Sequence, residues 1–174
     1  MNIILIGFMG TGKSAVGKLI ASRIGYTFQD TDALIEAKEQ RSIPQIFAEN
    51  GETYFRDLEQ QVAKEIALRN KLVVATGGGF VLNPDNLAEL RANSIVLGLT
   101  AQPEVIYSRV KADRNRPLLA ADNSLQQITD LLAERTKYYA QADLVFDTSD
   151  GDPEFQALKM IKAIQERVIS NGKD

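Results

Sequence analysis

Residues 7–14 read GFMGTGKS, and they follow directly on the apolar run NIILI from Asn2 to Ile6. The pattern G-x-x-x-x-G-K-[ST] lets backbone N–H groups close around phosphates, a lysine reach the terminal phosphates and a hydroxyl bind Mg²⁺. From Lys13 onward, Val16, Leu19, Ile20 and Ile24 recur on one helical face. Strand, loop and helix therefore stand in the order a phosphate loop requires, and the rest of the chain must be built around a buried strand that ends at a ligand.

Composition narrows the chemistry. The chain of 174 residues is 44% hydrophobic and 25% charged, which fits one globular domain. A formal charge of −3 argues against a nucleic-acid surface, because neutralising a phosphate backbone takes a basic patch. Cysteine and histidine are both absent. Disulfides, thiolate nucleophiles, Cys/His zinc sites and Ser-His-Asp triads are thereby excluded, leaving carboxylates, cations, hydroxyls, amides and an oxygen-bound metal. The chain opens on a core strand and holds no apolar run approaching about 18 residues, so neither a signal peptide nor a membrane span is expected. A cytoplasmic enzyme is the simplest expectation, and nothing demands a partner subunit, so a monomer is expected.

Strand-like and helix-like runs alternate along the remainder. Tyr26 to Gln29 reads as a strand ending in Asp30-Thr31-Asp32, followed by a helix with Leu34, Ile35 and Ala37 apolar. Ser42 is a candidate N-cap for a short helix that Asn50-Gly51 stops, and a longer helix runs from about Thr53 to Arg69. Leu72 to Ala75 is a buried-type strand followed at once by Thr76-Gly77-Gly78-Gly79. Ser94 to Leu99 is a fourth strand, with Thr100 expected to cap the next helix. Lys111 to Asn123 has no period and reads as a long charged loop; Ser124 with Gln127 suggests a capping box for a helix reaching about Tyr139. Leu144 to Phe146 is a fifth strand, and a C-terminal helix follows the turn at residues 148–153. Five strands alternating with helices imply an α/β fold with a parallel sheet covered on both faces, and such sheets bind ligands at the carboxyl ends of their strands.

Several residues at those ends could carry chemistry. Asp30 and Asp32, two positions apart, direct both carboxylates to one side of an extended backbone, or else cap the next helix. Arg56 could grip a carboxylate in a two-bond fork, or pair with Glu52, Glu59 or Gln60 on its own helix. Gly77, Gly78 and Gly79 permit close backbone approach and offer N–H donors. Arg114 and Arg116 lie in the charged loop, where a lid would supply cations to a transferring phosphoryl group. Arg135 stands late in its helix near Lys137, Tyr138 and Tyr139, a place that the helix dipole alone also favours for a cation.

Taken together, GFMGTGKS, Asp30-Thr31-Asp32, GExxFRxxE from Gly51 to Glu59, the triple glycine, RPLL from Arg116 to Leu119 and RxxxY from Arg135 to Tyr139 resemble the shikimate kinases, in the same order. The resemblance spans nearly the whole chain. It implies transfer of the ATP γ-phosphate to the 3-hydroxyl of shikimate, with Mg²⁺ as cofactor. The implied fold is a three-layer P-loop kinase with a five-stranded parallel sheet of order 2-3-1-4-5. It would form a single domain over 1–174, with a shikimate-binding segment at about 31–60 and a lid at about 111–123. Carried over by position, Gly10, Thr11, Gly12, Lys13, Ser14 and Ala15 would hold the ATP phosphates, and Arg109 and Pro153 would flank adenine. Ser14 and Asp30 would serve Mg²⁺. Asp32 would meet the reacting hydroxyl, Arg56 and Arg135 the carboxylate, with Gly77, Gly78 and Gly79 beside them, while Lys13 and Arg116 would neutralise the transferring group. Two other readings differ in testable ways. A kinase for another hydroxy acid such as gluconate would favour a different arginine pattern, and a GTPase-like switch is disfavoured because Asn70-Lys71-Leu72-Val73 lacks the aspartate of N-K-x-D.

Overall fold

The computed structural model describes residues 1–111 and 125–171. Apart from Lys111, the expected lid at 111–123, with Arg114 and Arg116, lies outside the described residues, as does Ser124 of the expected capping box. The described strands are β1 (Asn2–Gly7), β2 (Thr27–Asp30), β3 (Leu72–Ala75), β4 (Ser94–Thr100) and β5 (Leu144–Asp147). The described helices are α1 (Lys13–Ile24), α2 (Thr31–Glu39), α3 (Ile43–Ala67), α4 (Pro84–Arg91), α5 (Pro103–Lys111), α6 (Leu125–Tyr139) and α7 (Pro153–Asn171). The strands form one parallel sheet in the order β2-β3-β1-β4-β5, the order that the resemblance implies. β1 sits at its centre, with Ile4 opposite Val74 on one side and Val96 on the other.

Period-two alternation along β1 divides the core. Ile3 and Leu5 face Val16 and Ile20 of α1 and Ala157 and Met160 of α7, while Ile4 and Ile6 face the cluster built by α3, α4, α5 and α6. Both faces are fully covered, so β1 is apolar at consecutive positions, as a buried parallel strand must be. Among the described residues no helix is long and apolar enough to cross a membrane.

The break expected at Gly51 is present: α3 comprises two helical segments that meet there, Gly51 having φ 81 and ψ 178, a non-helical conformation open to glycine. Two other local features differ from the sequence expectation. Thr100 closes β4 rather than capping α5; the Gln102 carbonyl accepts from the Val105 and Ile106 N–H groups at 3.0 Å instead. Asp32 lies in the first turn of α2 rather than on extended backbone, because Asp30 is the N-cap and starts the helix one residue later.

Candidate active site

The carboxyl ends of β1, β2 and β3 surround a crevice of about 250 Å³, lined by Gly10, Gly12, Lys13, Ser14 and Ala15 of the loop, by Asp30 and Asp32, and by Thr76, Gly77, Gly78 and Arg109. Parallel topology brings these segments together: each follows a strand, and the strands are neighbours in the sheet. Lys13 is largely buried and donates from Nζ to the carbonyls of Gly7 at 2.8 Å and Phe8 at 2.9 Å. Its ammonium is thus held at the mouth of the loop by the loop's own backbone. Thr11 is fully buried; its hydroxyl donates to the Phe8 carbonyl at 2.7 Å, and its own carbonyl accepts from Thr148 at 2.8 Å. Its side chain therefore shapes the loop from within.

Asp30 does both things expected of it as alternatives. One carboxylate oxygen caps α2, accepting from the N–H groups of Asp32 at 3.1 Å and Ala33 at 3.4 Å, and the other accepts from the Ser14 hydroxyl at 2.9 Å. Ser14 and Asp30 thereby form a pair of hard oxygen donors beside the N-terminal end of α1.

The triple glycine organises the other half of the site. A methyl group on Gly77 would stand 2.5 Å from Asp32 Oδ1, one on Gly78 3.8 Å from an Arg135 nitrogen, and one on Gly79 2.7 Å from Arg56 Nη1. Three successive glycines therefore each lie against one of the three expected acceptor-site side chains. Thr31 fixes the near end of this turn, its hydroxyl oxygen accepting from the Gly77 N–H at 2.9 Å. Arg135 also lies over the Phe8 ring, 5.8 Å from its centroid, so α6 touches both the phosphate loop and the glycine turn.

Arg56 makes the helical pairs that the sequence allowed, with Glu59 at 2.7 Å and Glu52 at 2.9 Å. Those pairs point it at the site rather than away from it, since its guanidinium meets Gly79. Burial works against its charge, and the two carboxylates more than compensate, raising its pKa further. Glu59, the partner of Arg56, is buried rather than solvated: it is only 1% exposed, and burial pushes its pKa up to about 7 despite Arg56. Its position could have betrayed it, because Phe55, Leu58, Glu59, Val62, Ala63 and Ile66 form one buried stripe at helical spacing.

Of the two residues expected around adenine, Arg109 lines the crevice, donating to the carbonyls of Gly10 at 3.1 Å and Thr148 at 2.8 Å. Pro153 opens α7 beyond the turn and is not among the lining residues. Arg116 lies outside the described residues.

A phosphate loop on the central strand, a parallel sheet of order 2-3-1-4-5 and an acidic and cationic crevice at the strand ends define a P-loop kinase. Residues 9–165 match the family model described as Shikimate kinase. A shikimate kinase from Thermodesulfovibrio yellowstonii is 43% identical over 99% of this chain and 98% of its own length. The chain belongs to the shikimate kinase family, and its activity is that of a shikimate kinase. Among solved structures, the shikimate kinase from Acinetobacter baumannii in complex with shikimate has a TM-score of 0.90 at 38% identity, covering 95% of this chain and 93% of that one. A gluconokinase from Sinorhizobium meliloti 1021 matches over 98% of this chain and 96% of its own, with a TM-score of 0.60 at 18% identity, a likeness of fold alone.

Proposed function

We propose that this crevice transfers the γ-phosphoryl group of ATP to the 3-hydroxyl of shikimate, giving shikimate 3-phosphate and ADP, with the residues in the following roles. The observation that carries the reading is the glycine turn: Asp32, Arg135 and Arg56 converge on Gly77, Gly78 and Gly79 at the rim of the phosphate loop. The arginines supply a fork for a carboxylate, and Asp32 supplies an acceptor for a hydroxyl.

Phosphoryl transfer through a loose transition state asks mainly for alignment and charge neutralisation. Lys13 exchanges its loop carbonyls for the β/γ-phosphates, and the amides of the segment Gly10 to Ala15 enclose the phosphate chain. Asp32 orients the acceptor hydroxyl and takes its proton late. Arg56 and Arg135 hold the carboxylate, so the ring is fixed at both ends. A polyol lacking that carboxylate would leave two guanidiniums short of a partner, so the site selects for an acid acceptor.

Ser14 and Asp30 fit Mg²⁺, which is bound through one or two protein oxygens and otherwise through water and phosphate. When bound, the ion neutralises charge on the phosphate chain. Arg109 flanks adenine in this reading, with the turn ending at Pro153 opposite, and Arg116, outside the described residues, would add charge at the transferring group. Residues 1–174 act as a single domain in this reading, with the shikimate-binding segment at about 31–60 contributing Asp32 and Arg56. A monomer working in the cytoplasm fits an ATP-dependent reaction whose crevice is built from one chain.

The test is calorimetric titration of shikimate and of its methyl ester. Removing the acceptor's charge should weaken binding about tenfold to a hundredfold, the loss of charge-assisted hydrogen bonds worth about 1.5–3 kcal/mol. Equal affinity for acid and ester would remove both arginines from the acceptor site.

A further inference from the structure

The tyrosine that ends the RxxxY segment has no role in the reaction as described, yet it is built into the site. Tyr139 is 3% exposed and its ring packs in the core cluster beneath α3 to α6. Its hydroxyl nevertheless donates to the Gly78 carbonyl at 2.8 Å, across 61 positions of sequence. Burial pushes the Tyr139 pKa above its usual value and the adjacent Arg135 only partly counters this, so the phenol keeps its proton as a donor.

The consequence lies in the peptide plane. In a trans peptide the carbonyl and the following N–H point in opposite directions. Fixing the Gly78 carbonyl toward α6 therefore turns the Gly79 N–H away from α6, inside the turn closed by the Phe80 N–H donating to the Gly77 carbonyl at 3.1 Å; with no β-carbon on either glycine, that closing bond alone is compatible with both rotations of the central peptide. Among the described residues, neither the Gly78 nor the Gly79 N–H is engaged in a hydrogen bond. Arg135 and Tyr139 are one helical turn apart, so the same turn of α6 presents the cation and locks the glycine backbone.

We propose that Tyr139 is a positioning residue for the acceptor acid, its hydroxyl fixing the Gly78–Gly79 peptide so that backbone donors and Arg135 address one ligand together. This rests on the reading of Arg135 and the glycine turn as the acceptor site. Tyr139→Phe keeps the ring in the core and removes only the donor. The KM for shikimate should rise about fivefold to twentyfold, the scale of one buried hydrogen bond lost from an otherwise intact site. The KM for ATP should stay within twofold, and thermal unfolding checks that the fold is kept. A hydroxyl that served stability alone would lower the melting midpoint and leave the shikimate KM within twofold, which overturns the proposal, as does an equal rise in both KM values. Arg135→Ala is measured alongside: if it too leaves the shikimate KM unchanged, the acceptor-site reading itself fails, whereas a large effect there with none in Tyr139→Phe rejects the tyrosine alone.

Discussion

Gly79→Ala tests the glycine turn with the least disturbance elsewhere. Gly79 has φ −94 and ψ −4, which alanine adopts, so the substitution introduces no backbone strain. Its new methyl would lie 2.7 Å from Arg56 Nη1 and 2.9 Å from Nη2, inside the usual contact distance of about 3.5 Å. The guanidinium must retreat by most of an ångström, and as the end of a flexible side chain it can do so without unfolding anything. A bidentate carboxylate grip does not survive that shift. Losing charge-assisted bonds worth about 1.5–3 kcal/mol raises the shikimate KM about tenfold to a hundredfold. Steady-state kinetics with each substrate varied should show that rise while the ATP KM holds within twofold and the melting midpoint changes little. An unchanged shikimate KM would refute the placement of Arg56 in the acceptor site, and equal changes for both substrates would refute its selectivity.

Other perturbations separate the remaining roles. Lys13→Met should lower kcat by on the order of a hundredfold or more, the scale of losing one preorganised charge at the transferring group, with the shikimate KM little changed. Asp30→Ala removes a helix cap and the Ser14 partner together, so it should cost about 1 kcal/mol in denaturant unfolding and raise the Mg²⁺ concentration needed for half-maximal rate. Glu59 gives a pH signature. Its folded pKa of about 7 exceeds the ordinary 4.5, so the folded state holds the proton more tightly, and that stabilisation is complete below pH about 4.5 and lost as pH rises to about 7. Relative to Glu59→Gln, the native protein should lose on the order of 3 kcal/mol at most across that window, and parallel stability curves would show that Glu59 does not titrate there.

Sequence alone reached the architecture because its signals are local. The run Asn2 to Ile6, the loop to Ser14 and the stripe of Val16 and Ile20 each declare their element within a few residues, and alternation of such elements forces a parallel sheet. Asp30 and Ser14 are readable for the same reason, since Asp30 ends a strand and Ser14 completes the phosphate-loop pattern. What sequence could not reach depends on distant parts of the chain. Spacing leaves Arg56 open between a solvated pair and a ligand, and only the fold brings its guanidinium against Gly79. Tyr139 was legible as part of a motif, but its hydroxyl meets a carbonyl 61 positions earlier. Spacing puts Asp32 on extended backbone, whereas the cap at Asp30 starts α2 at Thr31, a shift of the scale at which element boundaries are weakest.

ADP release with Mg-ATP, measured in parallel with shikimate, gluconate and no acceptor, tests the central claim most directly. Strong turnover confined to shikimate is the predicted result. Comparable turnover with gluconate, or with no acceptor, would leave the phosphate loop in place and contradict the acid site built from Arg56, Arg135 and the glycine turn.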